Sequence, residues 1–129
     1  MGDFGFTGAP VIIPGSMGAA SYLLAGEGNE AAMCSACHGA GRTLSRGKAR
    51  HVDVTTYTTA LERLRVVTPI DPTAPDVRLR SDVLVEYHDR LKEEAPYAYK
   101  DITPVVQTVE DAGVARRVAR MWPLLTIKG

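Results

Sequence analysis

The segment from His38 to Arg42, with Ser45 and Arg46 just beyond it, has the residue types that chemistry on a phosphate requires. Its glycines let backbone amides approach a phosphate closely, and amides at a helix N-terminus point toward an anion. Imidazole is largely neutral near pH 7 and can attack phosphorus through nitrogen, while two arginines can neutralise charge on the phosphoryl oxygens. The segment therefore indicates phosphoryl chemistry or, more simply, a helix break with a hydrogen-bonded histidine and a solvated basic face.

Two cysteines, Cys34 and Cys37, stand directly before this histidine. The pattern C-x-x-C-H matches the motif for covalent haem attachment, which takes place outside the cytoplasm. The chain shows no export signal, and its N-terminal part is predicted to form strands where a small cytochrome would have a helix. A closed zinc site would need a second pair of ligands. We therefore expect both cysteines to be buried, small apolar residues on a helix.

Other candidate residues have simpler alternatives. The turn Pro14-Gly15-Ser16-Met17-Gly18 follows a predicted strand and can present amides and a hydroxyl to a phosphate, although most such turns only reverse the chain. Ser21 would ordinarily be an early strand residue, and Lys128 a frayed, solvated charge. Tyr97 and Tyr99 would normally be half-buried anchors of a helix junction.

Composition and charge exclude some classes of protein. The 129 residues are 45% hydrophobic, which suits one compact domain or part of one, and 15 basic residues balance 15 acidic residues. This balance excludes a histone-like, polybasic affinity for nucleic acid. No apolar stretch approaches the roughly 20 residues that span a bilayer, and no Lys or Arg precedes Arg42. We expect a cytoplasmic protein with no membrane partner.

The hydrophobic pattern changes along the chain and predicts a mixed α+β fold. Runs closed by glycine or proline predict strands over residues 9–13 and 21–25, an extended stretch over 65–68 and a strand over 124–127. Helical spacing begins at Asn29 and is interrupted at His38. Residues 59–64 fit a helix or a strand, and three prolines make 69–75 a loop.

Two longer helices are predicted in the second half of the chain. One helix is capped by Ser81 or Asp82 and ends at Glu94. Its inward face carries Val83, Leu84, Tyr87 and Leu91. The other has Thr103 as its cap and Pro104 at its first position. It continues past Gly113, with Val105, Val106, Val109, Val114 and Val118 inward and Arg116, Arg117 and Arg120 outward.

Four blocks of sequence occur in order from Pro10 onward. They are Val11-Ile12-Ile13-Pro14-Gly15-Ser16-Met17-Gly18 with Ser21-Tyr22; Ser35-Ala36-Cys37-His38-Gly39-Ala40-Gly41-Arg42 with Ser45-Arg46; Glu93-Glu94-Ala95-Pro96 with Ala98-Tyr99-Lys100-Asp101; and Ala115-Arg116-Arg117-Val118-Ala119-Arg120 leading to Ile127-Lys128-Gly129. In combination they resemble the C-terminal part of the RtcB family, tRNA-splicing ligases that join an RNA 3′-phosphate to a 5′-hydroxyl using GTP. The resemblance implies that residues 1–129 are the guanylate-binding, C-terminal portion of an RtcB-type fold.

The resemblance also implies a mechanism. His38 would attack the α-phosphate of GTP and carry GMP, the RNA 3′-phosphate would take the GMP, and the 5′-hydroxyl would displace it. A 2′,3′-cyclic phosphate end would first be opened to the 3′-phosphate. The implied partners are RNA ends of these two kinds, including tRNA halves, in tRNA splicing or in RNA repair.

Individual site residues follow from the matching positions. The implied GMP-binding residues are Pro14, Gly15, Ser16, Met17, Ser21, His38, Gly39, Ala40, Gly41, Tyr99 and Lys128. Among these, Lys128 would contact the guanine and Tyr99 would pack nearby. Arg42 and Arg46 would hold RNA or phosphate.

Metal binding is expected to come from elsewhere. Family enzymes are several times longer and hold two divalent ions, typically manganese, through an upstream region without a counterpart in these 129 residues. His51 and His88 match no family metal position, so we expect no metal site within the chain. Guanylylation by this chain alone should be slow by orders of magnitude, and an upstream RtcB-like polypeptide would complete the site. The alternative is an inactive remnant that only binds guanine nucleotide or RNA.

Overall fold

A computed structural model describes residues 4–129, and every structural statement below concerns these residues. The strands are β1 (Pro10–Ile13), β2 (Ser21–Gly26), β3 (Arg65–Val67), β4 (Ala115–Met121) and β5 (Leu125–Ile127). The α-helices are α1 (Arg46–Arg50), α2 (Val54–Leu61), α3 (Ser81–Glu94) and α4 (Ile102–Asp111), and short 3₁₀ helices span Glu30–Ala32 and Pro96–Ala98. Helices and strands are thus mixed, and the predicted α+β class is confirmed.

The chain divides into two compact units. The first unit contains the described part of Met1–Gly15 together with Ala19–Gly41 and Asp101–Trp122. The second unit contains Ser16–Gly18, Arg42–Lys100 and Pro123–Gly129. Each is described separately.

The first unit is an antiparallel sheet of order β1-β2-β4 with α4 packed against β4. Because side chains alternate across a strand, Tyr22 and Leu24 of β2 point to the same face, where both are almost completely buried. Ile13 of β1 and Val106 of α4 complete this core with no exposed surface. The sequence pattern of the two strands therefore determines which face of the sheet is covered.

Strand β4 is paired to β2 with a shift in register. Leu23 lies opposite Ala119 and Leu24 lies opposite Arg117, so Val118 has no partner across the strand pair. Such a bulge adds one residue to one strand and changes which side chains share a face. Beyond the bulge, Arg120 lies opposite Tyr22.

The second unit contains α1, α2, α3 and a parallel pair formed by β3 and β5. Helices α1 and α3 pack together, with Ala49 and Leu91 buried. Helix α2 begins at a side-chain cap, since the Asp53 carboxylate accepts a hydrogen bond from the Thr56 amide at 2.9 Å. The strands predicted over 9–13, 21–25, 65–68 and 124–127, the loop over 69–75 and the helix ending at Glu94 are confirmed.

Three helix predictions need correction. The helical spacing from Asn29 yields only a 3₁₀ turn, because Met33 and Cys34 adopt left-handed backbone angles with φ of 51° and 52°. Helix α3 begins at Ser81 itself, and its preceding residue, Arg80, makes no side-chain capping bond. Predicted caps at Ser81 and Asp82 are therefore wrong.

The helix predicted to run from Thr103 to Val118 is shorter and starts earlier. Its cap is Asp101, whose carboxylate accepts from the Thr103 amide at 2.9 Å, and it ends at Asp111. Gly113 follows with φ of +62°, and the chain then enters β4. The strand, not an outer helix face, therefore carries Arg116, Arg117 and Arg120, and Val118 is exposed rather than inward. The inward positions of Val105, Val106, Val109 and Val114 are confirmed, although Val114 lies beyond the end of the helix.

None of the helices in the described part of the chain combines the length and the apolar character needed to cross a membrane.

Substitutions at two adjacent isoleucines of β1 test which side chains form the core of the first unit. Ile13 is completely buried, whereas Ile12 is 61% exposed. Ile13→Ala should lower the free energy of unfolding by about 2–5 kcal/mol, because it removes buried methyl groups and leaves a cavity. Ile12→Ala should stay within about 0.5 kcal/mol. Urea unfolding followed by circular dichroism measures both, and equal losses would contradict the assigned core.

Candidate functional site

The histidine motif lies on a loop of the first unit, and residues on both sides of His38 anchor this loop. Residues 35–41 have no regular secondary structure. Cys37 and Ala40 pack against the core of the first unit, whereas His38 is exposed. No hydrogen-bond partner for the His38 imidazole is found among residues 4–129. The structure thus departs from the simpler interpretation of a hydrogen-bonded structural histidine, and the ring nitrogens are accessible.

Backbone geometry explains one of the two glycines of this loop. Gly41 has φ of +73°, which disfavours any residue with a side chain. At Gly39 a Cβ would meet no atom within 4 Å, so packing does not require glycine at that position. The Gly39 amide donates to the Cys37 sulfur at 3.4 Å, and that thiol donates to the Gly39 carbonyl at 3.1 Å. These contacts order the loop next to the histidine.

The two cysteines are not buried on a helix, as the sequence had suggested. Cys34 is exposed and Cys37 is half-buried, and both lie outside helices. The left-handed backbone at Met33 and Cys34 ends the helical turn before either thiol can be carried into a core. Cys37 instead anchors the histidine loop.

The turn after β1 is tied to β2 through Ser21. The Gly15 amide donates to the Ser21 hydroxyl at 2.9 Å. A Cβ on Gly15 would lie 2.1 Å from the Ala20 carbonyl oxygen, so only glycine fits there. Two of the predicted GMP-binding residues are therefore in direct contact in the first unit. Ser16 and Met17 belong to the second unit, where both are half-buried.

Arg42 is the centre of a hydrogen-bonded cluster in the second unit. Its guanidinium group donates to the carbonyl oxygens of Leu44 at 3.0 Å and Glu93 at 2.6 Å. It also donates to the Tyr99 hydroxyl at 3.0 Å, lies over the Tyr99 ring and is 3.7 Å from the Glu94 carboxylate. Arg42 is thus bound by protein groups on several sides.

Two adjacent carboxylates balance the basic residues of this cluster. Glu93 is 8% exposed and is the one buried charged residue in the described part of the chain. Its carboxylate accepts from Arg50 at 2.5 Å and lies 3.7 Å from Arg46. A buried carboxylate needs such partners, because desolvation is costly without them. Glu94 accepts a hydrogen bond from the Tyr99 hydroxyl. The pKa of Tyr99 is raised mainly by burial and also by this hydrogen bond.

Arg46 differs from Arg42 in its surroundings. Its side chain is 70% exposed, compared with 24% for Arg42, and its two carboxylate contacts are long, at 3.7 and 4.0 Å. A guanidinium with long, solvated contacts retains donors for an external anion. Of the two arginines predicted to hold phosphate, Arg46 is the more accessible.

Lys128 lies beside a cavity of about 600 Å³ within the second unit. It is half-buried, and its amide donates to the Val67 carbonyl at 2.9 Å, which ties it to β3. The cavity wall also includes Tyr87, Glu93 and Glu94. Lys128 is therefore an ordered part of a concave surface rather than a frayed chain end.

The sequence analysis missed the role of Glu93 and Glu94. Both stood in a block that supported the resemblance, but neither was assigned a contact. A pair of adjacent acidic residues near Pro96 was the available signal, facing a segment with four basic residues between Arg42 and Arg50. Within residues 4–129, no group of three His, Cys, Asp or Glu side chains is placed to hold a metal ion.

A matched pair of conservative changes distinguishes the two arginines. Arg42→Lys should lower the free energy of unfolding by about 1–3 kcal/mol, because a single ammonium cannot reach the three acceptors that the planar fork serves. Arg46→Lys should change it by less than about 0.5 kcal/mol. Chemical denaturation measures both, and equal effects would contradict a clamping role for Arg42.

Comparison with known families identifies the family of the whole chain. The model of the family described as tRNA-splicing ligase RtcB matches residues 1–129. This is the family indicated by the four sequence blocks, and the match covers the histidine loop, the Arg42 cluster and Lys128. The chain therefore belongs to the RtcB family of tRNA-splicing RNA ligases.

Proposed function

We propose that this chain is the guanylate-binding part of a GTP-dependent RNA ligase, with His38 as the nucleophile. The observation that carries the proposal is the state of His38, an exposed imidazole without a hydrogen-bond partner among the described residues, on a loop anchored at Cys37 and Ala40. A nucleophile must be accessible and must also be oriented. The loop leaves His38 accessible, and the packing of Cys37 and Ala40 fixes the backbone on both sides of it.

The proposed reaction begins at the α-phosphorus of GTP. A nitrogen lone pair of His38 forms a P–N bond as the P–O bond to the β-phosphate breaks, so that pyrophosphate leaves and the ring gives up its N–H proton. An oxygen of the RNA 3′-phosphate then displaces His38 and takes the GMP. The RNA 5′-hydroxyl finally attacks the activated 3′-phosphate, loses its proton and releases GMP. A 2′,3′-cyclic phosphate enters this sequence after hydrolysis.

Backbone donors beside His38 would bind the phosphates. Residues 39–41 carry no side chain larger than the methyl group of Ala40, which would let an anion come close to their amide groups. The turn from Pro14 to Met17 and the hydroxyl of Ser21 are proposed to bind the same nucleotide. Neutralisation of phosphoryl charge is assigned to Arg46, while Arg42 contributes its charge from within its protein contacts.

The second unit is proposed to recognise guanine. The cavity beside Lys128 lies within the range of about 300–1,000 Å³ that is usual for small-molecule sites. The Lys128 ammonium is a donor suited to the O6 and N7 acceptors of guanine. Tyr99 supports this unit through Glu94, which lines the same cavity.

Manganese is expected for the complete family enzyme, and the described residues offer no side-chain set for it. We propose that the metal-binding groups come from an upstream RtcB-like polypeptide and that the substrates are RNA ends, including tRNA halves. If no nucleotide is transferred, the chain is a binding remnant for guanine nucleotide or RNA.

The nucleophile is tested in an RtcB ligase whose own C-terminal segment is replaced by this chain. With manganese and GTP labelled at the α-phosphate, the chimera should acquire an acid-labile label. His38→Ala should abolish the label, because the P–N bond can no longer form. His51→Ala, at an exposed histidine just after α1, should retain it.

Two results would contradict this assignment. A label that survives His38→Ala would show that another residue is the nucleophile. A chimera that folds and binds GMP but never acquires label would leave only the binding remnant.

Guanine recognition is tested by titration of the chain with GMP in a calorimeter. Lys128→Ala should weaken binding by about 10-fold, the effect of losing one charged hydrogen bond. Lys100→Ala, at an exposed lysine of the same unit, is the control and should bind as the parent does. Equal affinity in all three proteins would remove Lys128 from the guanine site.

A further inference from the structure

The end of β4 in the first unit presents an exposed indole beside an arginine. Trp122 is 61% exposed, although large aromatic side chains usually bury most of their surface. The guanidinium carbon of Arg120 lies 4.5 Å from the centre of the Trp122 ring and 5.8 Å from that of Tyr22. Arg120 is thus in contact with one buried and one exposed aromatic ring.

The β-bulge at Val118 determines which residues of β2 Arg120 faces. In a regular strand, residues 117 and 120 would point to opposite faces, because side chains alternate. The extra residue in β4 places both arginines opposite residues of one face of β2, Arg117 opposite Leu24 and Arg120 opposite Tyr22. Bulges are frequent beside functional sites, where they redirect a side chain.

The two redirected arginines differ in their partners. Arg117 is bound to the Glu110 carboxylate, and its hydrogen bonds lower the pKa of that group. Arg120 forms no salt bridge within residues 4–129. Its charge contributes only weakly to the lowered pKa of Asp101, which is set mainly by hydrogen bonds from Thr103. Arg120 therefore retains donors for an external anion.

We propose that Trp122 and Arg120 form a binding site for single-stranded RNA. An unpaired base stacks on the exposed indole, and the Arg120 guanidinium pairs with a neighbouring phosphate. This combination of an aromatic platform and a basic group is how proteins hold single strands without reading sequence. That the nucleic acid is RNA rests on the proposed function; the stacking and the anion contact rest on the geometry.

A direct measurement is available because Trp122 is the single tryptophan of the chain. Selectively excited indole emission therefore reports on this site alone. Titration with a single-stranded RNA ending in a 3′-phosphate should quench the emission in a saturable manner. The same strand with abasic nucleotides at every position should quench less, since it offers phosphates without bases. Poly-glutamate, a model for an acidic protein partner, should not quench.

Variants measure what the site contributes to affinity. In fluorescence anisotropy with labelled RNA, Trp122→Ala should weaken binding by about 10-fold, the usual effect of losing one base–aromatic stack. Trp122→Tyr should recover most of this loss. Arg120→Ala should weaken binding more than Arg116→Ala, which removes an exposed arginine of the same strand without a ring contact.

The outcomes distinguish this inference from the proposed function. RNA that binds without quenching, and with equal affinity for Trp122→Ala, would overturn the site and leave the ligase proposal untouched. Absence of RNA binding would also overturn it, whereas His38 labelling by GTP is scored without RNA. Equal quenching by poly-glutamate would assign the surface to a protein partner instead.

Discussion

The packing of the second unit depends on the hydrogen bonds that the planar guanidinium group of Arg42 donates. This group joins the carbonyl group of Leu44 to the carbonyl group of Glu93 and the hydroxyl of Tyr99, which lie in a distant part of the sequence. Arginine can do this because its donors point in several fixed directions in one plane, whereas a lysine would present one compact group. Antiparallel pairing between Arg42 and Tyr99 adds a backbone contact at the same place.

The cluster around Arg42 also explains how several charges share a small volume. The buried Glu93 carboxylate is neutralised by Arg50 and approached by Arg46, and Glu94 is paired with Arg42 and Tyr99. Each carboxylate therefore has cationic or hydrogen-bonding partners, which offsets desolvation. Because Arg46 has the weakest contacts, it retains the most capacity for an external phosphate.

In the first unit, an ordered loop leaves the His38 side chain exposed. Cys37 and Ala40 are half-buried against the core, and His38 between them remains exposed. Strand β4 uses a bulge for a related purpose, since Arg120 is brought to the face of Tyr22 while Trp122 remains exposed. In both cases packing of neighbours determines the position of an accessible group.

The family resemblance, the α+β class, most strands and helix α3 followed from the sequence alone. Those features depend on local patterns, namely short apolar runs in β1 and β2, glycine and proline at turns, and motifs such as His38 to Arg42. Tertiary structure alone decided the rest. The chain forms a loop where a helix was predicted, because the backbone at Cys34 is left-handed. It also reverses at Gly113, so residues predicted to form one face of a helix lie in β4 instead. The partners of Arg42 were likewise not predictable, because hydrogen bonds between distant residues have no periodic signal in a sequence, and only the folded chain brings donors and acceptors together.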